Sequence, residues 1–213
     1  MVNVAIGLTG YAGSGKDTTA DYLVERYGFV RVAFADKLKE FALASVPAVR
    51  ENVQEVGWHE SKQRPWIREL LQDIGTAARD TFGDDFWIRQ VEIPDAERVV
   101  FTDVRYPNEA EFVRNLAPVS EVVWVQRPGV GPVNEHASED VSRLTVSFIH
   151  NSDEIEGLHY RVDTLMRDFF GIEPLPNLSP LEERLLADLA RCHGVTDATI
   201  RARYLGGHNI KGE

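Results

Sequence analysis

The residues best equipped for chemistry stand near the start of the chain. Gly10-x-x-x-x-Gly15-Lys16 follows a short apolar run, Val2 to Leu8, and precedes Asp17 to Leu23, whose pattern is helical. Glycines at this spacing let consecutive backbone N–H groups turn inward around phosphate oxygens. The start of the following helix adds partial positive charge. Lys16 supplies a mobile full charge for β- and γ-phosphates. This is the Walker A pattern in its required strand–loop–helix context, and it makes Gly10, Tyr11, Ala12, Gly13, Ser14, Gly15, Lys16, Asp17 and Thr18 the expected ATP-binding set. The pattern calls for Ser or Thr directly after the lysine as a magnesium ligand. Here Asp17 holds that place and Thr18 follows, so the metal falls either to Asp17, directly or through water, or to Thr18 after a one-residue shift.

A second constellation suits a monophosphate. Arg68, Gln72, Gly75 and Arg79 recur at i, i+4, i+7 and i+11, a polar stripe beside the apolar stripe Ile67, Leu70, Leu71, Ile74 and Ala78. Two arginines on one helix face grip a dianionic phosphate with planar, bidentate forks. Gly75 costs roughly 1 kcal/mol relative to alanine inside a helix, which makes sense where a ligand approaches the backbone. A solvated face with an incidental glycine has the same pattern. Asp103 ends the apolar run Val99 to Thr102, where a carboxylate holds magnesium through water, or else caps the helix near Pro107. Arg105 faces the same cleft, in reach of the acceptor or transferring phosphate. Asp36 follows the second strand and either orients the acceptor or caps the helix at Lys37. Phe86-Trp87 offers a ring to stack on a base, or a piece of core.

Arg127 opens a stretch with Pro128, Gly129, Gly131 and Pro132, the setting of a lid whose arginine covers the transferring phosphoryl and excludes water; Arg143 is its rival. His136 has no second histidine or cysteine at ligand spacing and reads as a packing or surface residue.

These residues need elements to hold them. Strand signals at Val2–Leu8, Phe29–Phe34, Val99–Phe101, Val122–Val125 and Phe148–Ile149 alternate with helical segments, one opened by Pro65 and another running from about Glu154 to Phe170. The segment Val53 to Arg64 reads as a loop or frayed helix. The pattern predicts an α/β three-layer sandwich around a five-stranded, mostly parallel sheet. Residues 1–170 form its body, with an acceptor-binding helical region at about 36–90 and a lid at about 127–145. Residues 171–180 read as a proline-rich linker and 181–213 as a helical tail.

Composition narrows the function. The 213 residues carry a net charge of −11, which argues against a protein whose main task is coating nucleic acid. The glycines and polar residues of the first fifteen positions exclude a membrane span there, and no secretory signal is readable. The lone Cys192 suits a reducing compartment. In the tail, a helix, the glycine turn at Gly194 and a second helix with Arg201 and Arg203 resemble a helix-turn-helix, though a helical hairpin docked on the body or on a partner subunit has the same pattern.

Gly-Tyr-Ala-Gly-Ser-Gly-Lys-Asp-Thr at 10–18 resembles the P-loop of bacteriophage-type deoxynucleoside monophosphate kinases. So do Phe34–Lys39, the block from Arg68 through Thr76 to Arg79, and Thr102–Glu109, in matching order and spacing over roughly residues 1–170. The resemblance implies ATP-dependent phosphorylation of deoxynucleoside monophosphates to diphosphates with magnesium, in deoxynucleotide supply. It implies a cytoplasmic protein, in the host cell if phage-encoded, and leaves a homodimer open. On it, Lys16, Asp17, Arg105 and Arg127 are expected to serve catalysis. Asp36, Lys37, Arg68, Gln72, Gly75, Thr76, Arg79, Trp87 and Arg105 are expected to bind the acceptor, and Asp17, Thr18 and Asp103 the metal. Two other readings stand beside it: a P-loop kinase of another small phosphorylated acceptor such as phosphomevalonate, and a nucleotide-controlled DNA-binding regulator acting through the tail.

Overall fold

Six consecutive buried residues, Val4 to Thr9, form a strand that has neighbours on both sides and helices on both faces. The computed structural model describes residues 1–144, 147–152, 154–176, 179–194 and 200. Its strands are β1 (Val4–Thr9), β2 (Val30–Val32), β3 (Arg98–Phe101), β4 (Val119–Gln126) and β5 (Ser147–His150). They lie in the order β2-β3-β1-β4-β5, and every pairing is parallel.

Alternation along the strands builds two cores. Ile6, Val100 and Val123 pack with Leu23 and Tyr27 of α1 (Lys16–Tyr27) and with Leu158 and Val162 of α7 (Ile155–Leu165). Their neighbours Ala5, Val99 and Val122 point the other way, toward Ala110 and Val113 of α6 (Pro107–Leu116) and toward Val141 and Leu144. The three-layer α/β sandwich anticipated from the sequence follows.

Four helices intervene between β2 and β3: α2 (Asp36–Ser45), α3 (Pro47–Ser61), α4 (Pro65–Phe82) and α5 (Phe86–Arg89). Pro65 opens α4 as expected, at a position where its missing N–H has no partner to lose. Of the two readings of Val53–Arg64, a loop or a frayed helix, the second holds: the chain is helical as far as Ser61, interrupted at Gly57 (φ 76°, ψ 168°). This helix buries only Val49 and Ser61, so its apolar periodicity is too sparse to show in sequence.

Beyond α7 the helix widens into a π turn, Met166–Phe170. The expected linker is tied down at its start. Ile172 and Leu175 are buried, and the Leu175 N–H donates to the Arg26 carbonyl at 2.6 Å. The last described helix, α8 (Pro180–His193), begins with a Ser179–Glu182 capping box and ends at Gly194. The rest of the expected tail, including Arg201 and Arg203, lies outside the described residues.

Candidate active site

In a parallel sheet the loops after the strands gather along one edge, and all five contribute here. The loop from β1 into α1 is shaped by backbone that admits glycine alone at two points. Gly10 has φ 141°, and a Cβ there would lie 2.5 Å from the Val125 carbonyl oxygen. Gly15 has φ 101°, and its Cβ would lie 2.4 Å from Asn151 Nδ2. Asn151, just past β5, donates to the Ser14 carbonyl at 2.9 Å and braces the loop. No side chain caps α1, whose first N–H groups face the loop, and the Ser14 hydroxyl is buried with no partner among the described residues. Both features suit an anionic ligand. Lys16 curls back, its ammonium donating to the carbonyls of Gly10 and Tyr11 at 2.7 Å each. Burial, followed by the nearby Arg105 guanidinium, lowers its pKa to about 8 against the opposing pull of Asp17, Glu139 and Asp103. Asp17 is exposed and paired with Arg31 at 3.0 Å, while Thr18 is half-buried in the first turn.

Beside this loop lies a cavity of about 210 Å³. Phe34, Leu38, Leu71 and Trp87 give it an apolar wall; Lys39, Lys62, Arg68, Arg79 and Arg105 give it positive charge. Gln72 and Gly75 line it too, so the structure brings together much of the expected acceptor set, and Asp103, expected at the metal, lines the same cavity. Trp87 is buried, and its indole N–H donates to the Gly75 carbonyl at 3.1 Å. Gly75 is itself buried, although a Cβ there would meet only ordinary contacts.

Three expected residues point elsewhere. Lys37 pairs with Glu40 and Glu92 at 3.2 and 3.0 Å, away from the cavity. Asp36 is exposed and bound to Lys39 at 2.6 Å; the phase of α2 turns Leu38 and Lys39 inward instead. Thr76 bonds His136 Nε2 at 3.1 Å and lies off the cavity lining. The alternative capping roles are also reassigned. Ala35, not Asp36, precedes the first turn of α2. The Asp103 carboxylate accepts the N–H groups of Phe34 and Ala35 at 2.8 and 2.9 Å, so it clamps the β2–α2 turn, while Tyr106 and Glu109 cap α6.

No family model matches the chain. Over 185 residues it is 30% identical to "Putative deoxynucleotide monophosphate kinase" of Acanthamoeba polyphaga mimivirus, covering 75% of this chain and 94% of that protein. The chain belongs to the deoxynucleotide monophosphate kinase family. It is also 25% identical over 158 residues to an uncharacterised protein of Ictalurid herpesvirus 1 (strain Auburn), covering 70% of this chain and 59% of that one. A solved sugar kinase from Janibacter sp. HTCC2649 overlays with a TM-score of 0.39 at 16% identity, over 81% of this chain and 96% of that one, too loosely to support an argument. The family makes the protein a phosphotransferase.

Two buried carboxylates to which the sequence assigned no role organise the kinase's arginines. Glu109 is buried and accepts from Arg79 at 2.9 Å and from the N–H groups of Arg105 and Tyr106 at 2.8 and 3.1 Å. Burial, with Asp103 nearby, pushes its pKa up to about 7. Arg79 is further held by the Gly75 carbonyl at 3.2 Å and lies 3.9 Å above the Tyr106 ring, so both terminal nitrogens are engaged within the protein, while its buried Nε has no partner among the described residues. Glu139, also buried, sits 3.4 Å from Arg68 and 3.6 Å from Arg105, and its Oε2 has no partner among the described residues. The segment carrying Glu139 covers the cavity: Asn134 meets Gln72 at 3.0 Å and His136 meets Thr76. Arg127 reaches the Gly13 carbonyl at 3.5 Å, over the phosphate loop; Arg143 is exposed and bound to Asp140, outside the cavity lining. In the sequence Glu109 closes the Thr102–Glu109 block and stands two residues after Pro107, where a capping glutamate belongs.

Proposed function

We propose that the protein transfers the γ-phosphoryl group of ATP to a deoxynucleoside monophosphate, yielding the diphosphate and ADP in deoxynucleotide supply for DNA synthesis. The observation that carries this reading is the cationic cavity with an aromatic and apolar wall, set beside a loop shaped for phosphates. One end of such a cavity suits a monophosphate and the other a base. In the reaction an oxygen of the acceptor phosphate forms a bond to the γ-phosphorus, and the bond from that phosphorus to the β,γ-bridging oxygen breaks. The electron pair stays on ADP.

Catalysis is positioning plus electrostatics. Lys16 exchanges its two carbonyl partners for β- and γ-oxygens. The N–H groups at the start of α1 and the Ser14 hydroxyl hold the remaining phosphate oxygens. Arg68 and Arg105 exchange Glu139 for the acceptor phosphate, while Arg79 and Glu109 fix the backbone from which Arg105 extends. The segment at 127–144 serves as lid, and Arg127 covers the transferring group.

Magnesium fits the donors present. The ion usually keeps several waters and takes one or two carboxylates plus substrate phosphates, so no preformed cage is required. The described residues contain no cluster of three or more ligating side chains. Asp17 or Thr18 would hold it at the loop, with Asp103 acting through water. When bound it neutralises charge on the β- and γ-oxygens.

Kinetics with each substrate varied in turn tests the reading. Arg68→Ala is expected to reduce kcat/KM for the deoxynucleotide roughly 10- to 150-fold, the loss of a charged hydrogen-bonded pair. The KM for ATP should stay within about twofold of wild type. Unaltered acceptor kinetics would remove the cavity from the acceptor site.

A further inference from the structure

We infer that Lys62 is a further phosphate-contacting residue of this kinase, placed where the cavity meets the phosphate loop; the inference rests on the acceptor reading above. The cations that line the cavity are not equivalent. Lys39 is bound to Asp36, Arg79 to Glu109, and Arg68 and Arg105 share Glu139. Lys62 lines the same cavity and has neither ion pair nor side-chain hydrogen bond among the described residues. It is the cavity's uncommitted positive charge.

Its mounting is specific. Lys62 caps the C-terminal end of α3, directly after Ser61, whose hydroxyl donates to the Gly57 carbonyl at 2.6 Å and steadies this last turn. Three residues later Pro65 opens α4, the helix that carries Arg68. Lys62 therefore stands on the connection that leads into the arginine helix. Its charged neighbours are Lys39 across the cavity, Asp103 after β3, and Asp17 and Arg31 at the start of α1 and on β2. That set spans both sides of the proposed transfer, the acceptor cavity and the phosphate loop. Though the residue is exposed overall, the protein around its ammonium and the neighbouring Lys39 lower its pKa, as for a cation awaiting an anion. The acceptor phosphate supplies that anion to Lys62 without displacing any protein partner, whereas at Arg68 and Arg105 it must part the arginines from Glu139.

The test uses Lys62→Ala, Lys62→Gln and Lys62→Arg in the full chain, with whichever of dAMP, dCMP, dGMP and dTMP the wild type phosphorylates. Calorimetry without ATP reads affinity for that monophosphate, and steady-state kinetics reads each substrate. Alanine and glutamine should weaken monophosphate binding and acceptor kcat/KM roughly 10- to 100-fold, leave the ATP KM within about twofold and leave the melting temperature unchanged. Arginine, which keeps the charge, should recover a substantial part. Wild-type binding and turnover in the alanine variant would overturn the inference, as would an equal loss in all three variants. Failure of the wild type to take any of the four deoxynucleotides would instead defeat the acceptor reading itself.

Discussion

Single side chains in this kinase divide into those poised for ligands and those that hold the others in place. Lys16 belongs to the first kind. Its pKa near 8 means that the charged, phosphate-binding form predominates below pH 8 and is lost above it. In the free enzyme, kcat/KM for ATP should fall about tenfold per pH unit above roughly pH 8. Bound phosphates stabilise the ammonium, so kcat should hold to higher pH. A pH–rate profile in which both parameters stay flat to pH 10 would contradict this. Arg79 belongs to the second kind. In its ion pair with Glu109 the carboxylate is buried and the guanidinium only partly exposed, and Arg79→Ala leaves that buried carboxylate without its cation, at a cost of about 3–5 kcal/mol. The folded-state pKa of Glu109 is raised, so the folded protein binds the proton more tightly than the unfolded chain. The stability linked to that proton is fully present below the ordinary value of 4.5 and is lost as pH rises through 7. Urea unfolding of Arg79→Ala should therefore show a deficit that shrinks as pH falls from 8 toward 5. A pH-independent deficit would mean that Glu109 is not the group left behind.

Among the elements, the phosphate loop makes the cleanest contrast between structure and charge. Gly10→Ala drives a Cβ into the Val125 carbonyl, which belongs to β4 and cannot retreat. This variant should lose several degrees of melting temperature as well as ATP binding. Lys16→Ala should lose phosphoryl transfer by orders of magnitude and melt like wild type. Equal melting temperatures for the two variants would show that the loop is laxer than its geometry. The same elements explain what the sequence discloses. Strand runs such as Val4–Thr9 and the loop at 10–16 are legible because burial on both faces and the glycine spacing are local properties. The helix at 47–61 was hidden because it buries so little. Lys37 was misplaced because composition does not reveal the rotational phase of a short helix. Glu139 and Glu109 could not be matched to arginines, because their partners lie 71 and 30 residues away and only the tertiary fold introduces them. Lys62 was missed for the same reason, as it reaches the cavity from the end of a helix whose sequence reads equally as loop or frayed helix.

At the scale of the whole molecule, an acidic chain concentrates cations around one cavity. The net charge of −11 repels anionic substrates at a distance, and five cationic side chains attract them close in. The C-terminal helix stands apart from that arrangement. Its buried residues Leu186 and Ala190 cluster with Ile200, separately from the two cores against the sheet. Ending the chain after Pro176 should therefore leave kinase activity within about twofold of wild type. Ending it before Ile172 removes the buried Ile172 and Leu175 and should destabilise the body. Loss of activity in the chain ending after Pro176, measured on folded protein, would make the C-terminal helix part of the catalytic unit. Whether the cavity takes a deoxynucleoside monophosphate is read by following phosphate from γ-labelled ATP into separated products. The acceptors are dAMP, dCMP, dGMP, dTMP, their ribose counterparts and phosphomevalonate. A deoxynucleoside monophosphate acceptor predicts label in at least one deoxynucleoside diphosphate, abolished by Lys16→Ala and strongly reduced by Arg68→Ala. Label in no deoxynucleotide, together with transfer to another phosphorylated acceptor, would contradict it.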